Sequence, residues 1–116
     1  MALIAAPASE VERRPDHRSQ IDVEIHGSHP EERAAPALGT VGSLLAAIDQ
    51  LRSQAEALAP SDWKAEHRNV SGDDLFLEGF EFHDEGLVRV LFDFGDLDLL
   101  ILDLHADGRS TASVEP

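Results

Sequence analysis

Residues 20–27, QIDVEIHG, alternate strictly between apolar and polar. Ile21, Val23 and Ile25 fall on one side and Asp22, Glu24 and His26 on the other, which predicts a half-buried strand ended by Gly27. The next stretch, SHPEERAAPALG, carries two prolines and closes on Gly39, so it reads as a loop with at most one helical turn. From Thr40 the period changes. Val41, Leu44, Leu45, Ile48, Leu51, Ala55 and Leu58 recur at three- and four-residue steps. They form one apolar stripe and predict a single main amphipathic helix, capped by Thr40 or Ser43 and stopped by Pro60. A short helical turn capped by Ser61 follows, placing Trp63 as a lid over the end of that helix, with His67 and Arg68 at a solvated end.

The C-terminal half reads as strands at 74–83, 86–94, 97–104 and 109–115. The turns are marked by Asp84-Glu85-Gly86, by Gly95-Asp96 in the order of a two-residue type II′ turn, and by Asp107-Gly108. The fold class is therefore α+β, one main helix packed on an antiparallel sheet of four to five strands. Residues 1–19 lack periodicity and read as a flexible N-terminal tail, leaving 20–116 as a single domain. Whether the strand at 20–27 joins the sheet edge or covers its outer face is left open by the pattern. A two-residue turn at Gly95-Asp96 sets Phe92 opposite Leu99 and Val90 opposite Ile101 on the core face. The turn at 84–86 sets Phe82 opposite Val88 and Phe80 opposite Val90. Glu78 would then point into the core, so a bulge at Gly79 is predicted that turns Glu78 outward and Leu75 and Leu77 inward.

That register gives the outer face an unusual composition. Asp93 stands opposite Asp98, Leu91 opposite Leu100, and Arg89 opposite Leu102, with Glu81 beside Arg89 and Asp96 in the turn. Like charges directly opposite cost a few tenths to about 1 kcal/mol, and an exposed leucine patch calls for a cover. The N-terminal segment, a second copy in a homodimer, or a protein partner could supply it.

Charge favours the last of these. The chain has a formal charge of −14, and residues 73–116 hold 12 of the acids and only 2 of the bases. Such a field repels nucleic acid and anionic membranes and attracts basic proteins. There is no cysteine, which removes disulfides and thiolate chemistry and fits a cytoplasmic location. No apolar run approaches the roughly 20 residues of a membrane span, and the first residues lack the basic region of a signal peptide.

Signatures of catalysis are missing. There is no nucleophile elbow and no phosphate-cradling loop, and DFG at 93–95 lacks every other kinase element, so no enzyme activity is expected. No cofactor or metal is expected either. Asp93, Asp96 and Asp98 do not match a calcium loop. His26 and His29 would need further ligands, such as His83 or His105, whose approach no spacing fixes.

A helix followed by a meander ending in LLILDLHADGRSTASVEP resembles small bacterial immunity-type domains of unknown function. The likeness covers about residues 40–116 and is carried by Asp103, Asp107 and Gly108. It implies a toxin inhibitor but transfers no functional residue. The resulting expectation is an acidic binding protein that occludes the basic site of a partner toxin through Glu81, Arg89, Leu91, Asp93, Asp96, Asp98, Leu100 and Leu102. The alternative is a homodimeric regulatory or structural domain.

Overall fold

The computed structural model describes residues 2–13, 19–66, 75–94 and 99–115. Six strands lie side by side in chain order: β1 (Ala2–Ala5), β2 (Gln20–Ile25), β3 (Phe76–Phe82), β4 (Val88–Asp93), β5 (Leu99–Leu104) and β6 (Ser110–Glu115). Neighbours are antiparallel except β2 and β3, which run parallel. The fold is α+β, but the sheet is mixed and larger than the four to five antiparallel strands expected. The reason is connectivity. Parallel neighbours need a long crossover, and the chain between β2 and β3 carries the helices α2 (Pro30–Ala46), α3 (Ile48–Leu58) and α4 (Ser61–Glu66). The alternating strand at 20–27 thus lies within the sheet, with Ile21 and Val23 fully buried as its pattern requires.

Where a loose tail was expected, Ala2–Ala5 pair with β2 and Ala8–Arg13 form a short helix, α1. A four-residue run next to Pro7 is too short to show a period, so nothing local announced it. The single main helix also proves to be two. The segment read as a loop is helical from Pro30, with Pro36 inside the helix. Pro36 removes a donor, and Gly39 and Gly42 weaken the helix further. Packing outweighs these losses, because Ala37 and Val41 are buried against the sheet. At Ala47 the backbone leaves helical geometry, its N–H reaching back to the Leu44 and Leu45 carbonyls, and the axis turns by 79° into α3. The bend carries Ile48, Leu51 and Ala55 over the sheet while leaving Leu58 exposed. No single helix among the described residues is long and apolar enough to cross a membrane.

The core forms between these helices and the inner row of sheet residues, Phe80, Phe82, Val90, Phe92, Leu100 and Leu102 among them. Trp63 closes it from α4, edge-on to Phe94 at 5.3 Å. The register shifts between Leu77 and Gly79, the predicted bulge, and Leu75 and Leu77 are fully buried.

The register between β4 and β5 differs by one residue from that expected. Phe92 faces Leu100, Val90 faces Leu102 and Asp93 faces Leu99. The turn at 95–98 lies outside the described residues. The two-residue turn would have placed Asp103 on the core face opposite Val88. The observed register turns it outward, opposite Arg89, where its carboxylate lies 3.1 Å from the guanidinium as an ion pair. Keeping one carboxylate out of the core decides a register that the apolar run Leu99–Leu102 leaves ambiguous.

The hairpin between β5 and β6 turns at 106–108, with Gly108 at φ 91°. Asp107 accepts hydrogen bonds from the Arg109 backbone N–H at 2.9 Å and from its Nε at 2.8 Å. The backbone donor, aided by the guanidinium, holds the Asp107 carboxyl below the ordinary aspartate range. A depressed folded pKa means that the turn is supported above the unfolded value and loses that support as pH falls through the folded value. Arg109→Ala removes the side-chain donor but keeps the backbone one. The Asp107 titration, followed by carboxyl-carbon NMR, should therefore move only part of the way back up.

Candidate partner-binding face

The sheet face opposite the helices is organised in rungs. One rung crosses Glu24, Glu81, Arg89, Asp103 and Thr111; the next crosses Leu3, Asp22, Gly79, Leu91, Ile101 and Ser113. Asp93, Leu99 and Glu115 form a third. Period-two alternation on every strand sends these side chains to one side.

Of the residues expected at the site, Glu81, Arg89, Leu91 and Asp93 do share this face. Leu100 and Leu102 do not. Each is 0 % exposed beneath the helices, a consequence of the one-residue register difference; Leu99 and Ile101 hold the corresponding positions on this face, Leu99 partly exposed and Ile101 itself buried. Asp93 faces Leu99 rather than Asp98. Asp96 and Asp98 lie outside the described residues. Glu81 is the cross-strand neighbour of Arg89, yet the two point their charges elsewhere. The Arg89 guanidinium lies 3.1 Å from Asp103 and 3.5 Å from Glu115, while Glu81 turns to His83 at 2.9 Å.

The face opens into a cleft lined by Asp22, Glu24, Glu78, Gly79, Glu81, Leu91 and Leu99. Its floor exists because Gly79 has no side chain. A Cβ there would collide with the Asp22 carbonyl oxygen of the adjacent parallel strand. Four carboxylates thus surround an apolar floor. Asp22, Glu24 and Glu78 were missing from the sequence-derived set. They come together only because β2 lies parallel beside β3, a pairing that no local pattern reports.

At one end of the cleft the parallel pairing aligns two copies of a short pattern, Glu24-Ile25-His26 and Glu81-Phe82-His83. The two imidazoles stack with centroids 4.6 Å apart and planes 9° from parallel. Strand ends here are fixed from behind. The His26 N–H donates to the Phe82 carbonyl at 2.7 Å, and Arg33 donates to the carbonyls of His26 at 2.6 Å and Phe82 at 3.4 Å. His29 stands at the start of α2 beside Glu32, and His105 lies against Thr111, so neither joins the pair. No family model, no curated protein and no solved structure matches the chain.

Proposed function

We propose that the chain is a small acidic protein-binding domain of immunity or antitoxin type. It acts in the cytoplasm, by occlusion and not by catalysis, on a basic partner such as a toxin directed at nucleic acid or nucleotides. The observation that supports this reading is the cleft in which Asp22, Glu24, Glu78 and Glu81 surround Leu91 and Leu99, on a chain of charge −14. A lysine or arginine side chain suits that shape: its aliphatic stem lies on the leucines while its cation reaches the carboxylates. Self-association through the same face would set these carboxylates against their copies, at an electrostatic cost that a basic partner does not meet. Of the leucines that favoured a dimer, Leu100 and Leu102 are core residues, while Leu91 stays on this face.

The test is retention of lysate proteins on the immobilised chain at low salt, followed by a salt gradient. It is run in parallel with an Asp22→Lys/Glu78→Lys variant whose folding has been checked by circular dichroism. One basic protein should leave the wild-type column at a defined salt step. With that protein purified, the variant should associate at least about tenfold more slowly at low ionic strength. Equal binding to both chains would remove the cleft from the interface. A wild-type chain that retains nothing basic and elutes as a dimer on size exclusion would favour the homodimeric reading.

A further inference from the structure

We propose that His26, His83 and Glu81, with Glu24 completing the set, bind a divalent transition-metal ion of the zinc class. One ligand atom from each of His26, Glu81 and His83 lies within 4.8 Å of the others. The Glu81 carboxylate is 2.9 Å from the His83 Nε2 and 4.0 Å from the His26 Nε2, and the Glu24 carboxylate is 3.9 Å from the same His26 nitrogen. Ligand atoms at about 2.0 Å from a tetrahedral ion stand about 3.3 Å from one another. The spacings from Glu81 to the two histidines bracket that value, so these three side chains can close on an ion by small rotations, with Glu24 within reach beside His26.

The chemistry of the donors selects the ion. Two imidazoles and one or two carboxylates, with no thiolate, suit Zn²⁺ and its first-row neighbours, whereas Ca²⁺ and Mg²⁺ require oxygen ligands. Backbone support is already in place, since both histidines sit at strand ends joined by a hydrogen bond and braced by Arg33. Glu81 and His83 are mostly sheltered, and His26 and Glu24 stand on the solvent side, which gives an ion a route of entry. Binding replaces the hydrogen bond between His83 and Glu81 and tilts the two rings, because parallel rings do not aim both nitrogens at one point. This inference requires no partner protein.

The experiment is calorimetric titration of the full chain, stripped with chelator, with Zn²⁺ alone near neutral pH. One ion should bind per chain, and the melting temperature should rise with Zn²⁺ because the site exists only in the folded state. Mg²⁺ and Ca²⁺ should do neither. His26→Ala/His83→Ala should weaken binding at least about 100-fold, beyond the 10- to 100-fold typical of residues that only support a ligand. His29→Ala/His105→Ala should bind as the wild type does. Co²⁺ on the wild type should give the visible absorption of a four-coordinate site, and this should vanish in His83→Gln, a milder change should the double variant fold poorly. No binding by the wild type, or binding unchanged in both the His26/His83 variant and His83→Gln, would overturn the proposal.

Discussion

Replacing Arg52 by alanine is expected to destabilise the protein by about 3–5 kcal/mol, the range for removing one member of a buried ion pair. Arg52 is 3 % exposed and Glu10 is 2 % exposed, and the two form a salt bridge between α3 and α1. The same guanidinium donates its Nε to the Leu75 carbonyl at 3.0 Å, pairs with Asp49 at 2.7 Å and lies 5.7 Å from the centroid of Phe92. One side chain therefore ties the N-terminal helix, the second long helix and the start of β3 together. Alanine leaves the Glu10 carboxylate buried without this counter-ion and the Leu75 carbonyl without this donor. Urea unfolding of Arg52→Ala, Glu10→Ala and a double Arg52→Met/Glu10→Met variant separates the contributions. The double variant should lose less than Arg52→Ala, because it removes both charges of this pair and not one alone; the Leu75 carbonyl is among the costs that remain. A loss below about 1 kcal/mol for Arg52→Ala would mean that the pair is not desolvated as its burial requires.

Arg52 also shows where sequence reading stops. Its position in α3 lies next to Leu51 in the apolar stripe, but a lone arginine one step from such a stripe is normally solvated, and its partner Glu10 sits in a segment without periodicity. The strands of the meander, the bulge at Gly79, the Asp107-Gly108 turn and the Trp63 lid were all legible, because each follows from local alternation or turn chemistry. The extension of the helix through Pro36 was not, because burial of Ala37 and Val41 outweighs local propensity. In the candidate site the same division holds. Glu81, Arg89, Leu91 and Asp93 were placed on one face by period two alone. Leu100 and Leu102 were misplaced because an unbroken apolar run fits either register, and the informative residue was Asp103, whose charge must face outward. The twin patterns Glu24-Ile25-His26 and Glu81-Phe82-His83 are visible in the chain, but they acquire meaning only once β2 and β3 are known to be parallel and in register.

Gly79→Ala is expected to cost about 2–3 kcal/mol, at the upper end of what overpacking usually does, and Gly79→Val more. A Cβ at this position collides with backbone, the Asp22 carbonyl, and not with a side chain that can turn away. Relief requires β2 to move off β3, which disturbs the pairing of Asp22 with Gly79, Val23 with Phe80 and Glu24 with Glu81. Three consequences separate this from a general loss of stability. Amide exchange should quicken in β2 and β3 before it does in β5 and β6. The cleft between Asp22 and Glu78 should change shape and weaken any basic partner's hold. Zn²⁺ affinity should fall although no ligand is altered, because Glu24 and His26 come from one strand and Glu81 and His83 from the other. Gly42→Ala is the internal control. That glycine lies inside α2 with nothing near an added Cβ, so the same substitution there should stabilise by about 0.5–1 kcal/mol. Opposite signs for one chemical change at two glycines would trace both the acidic cleft and the histidine pair to the close approach of β2 and β3. If Gly79→Ala were as stable as the wild type and bound Zn²⁺ equally well, the parallel pairing that builds both features would be wrong.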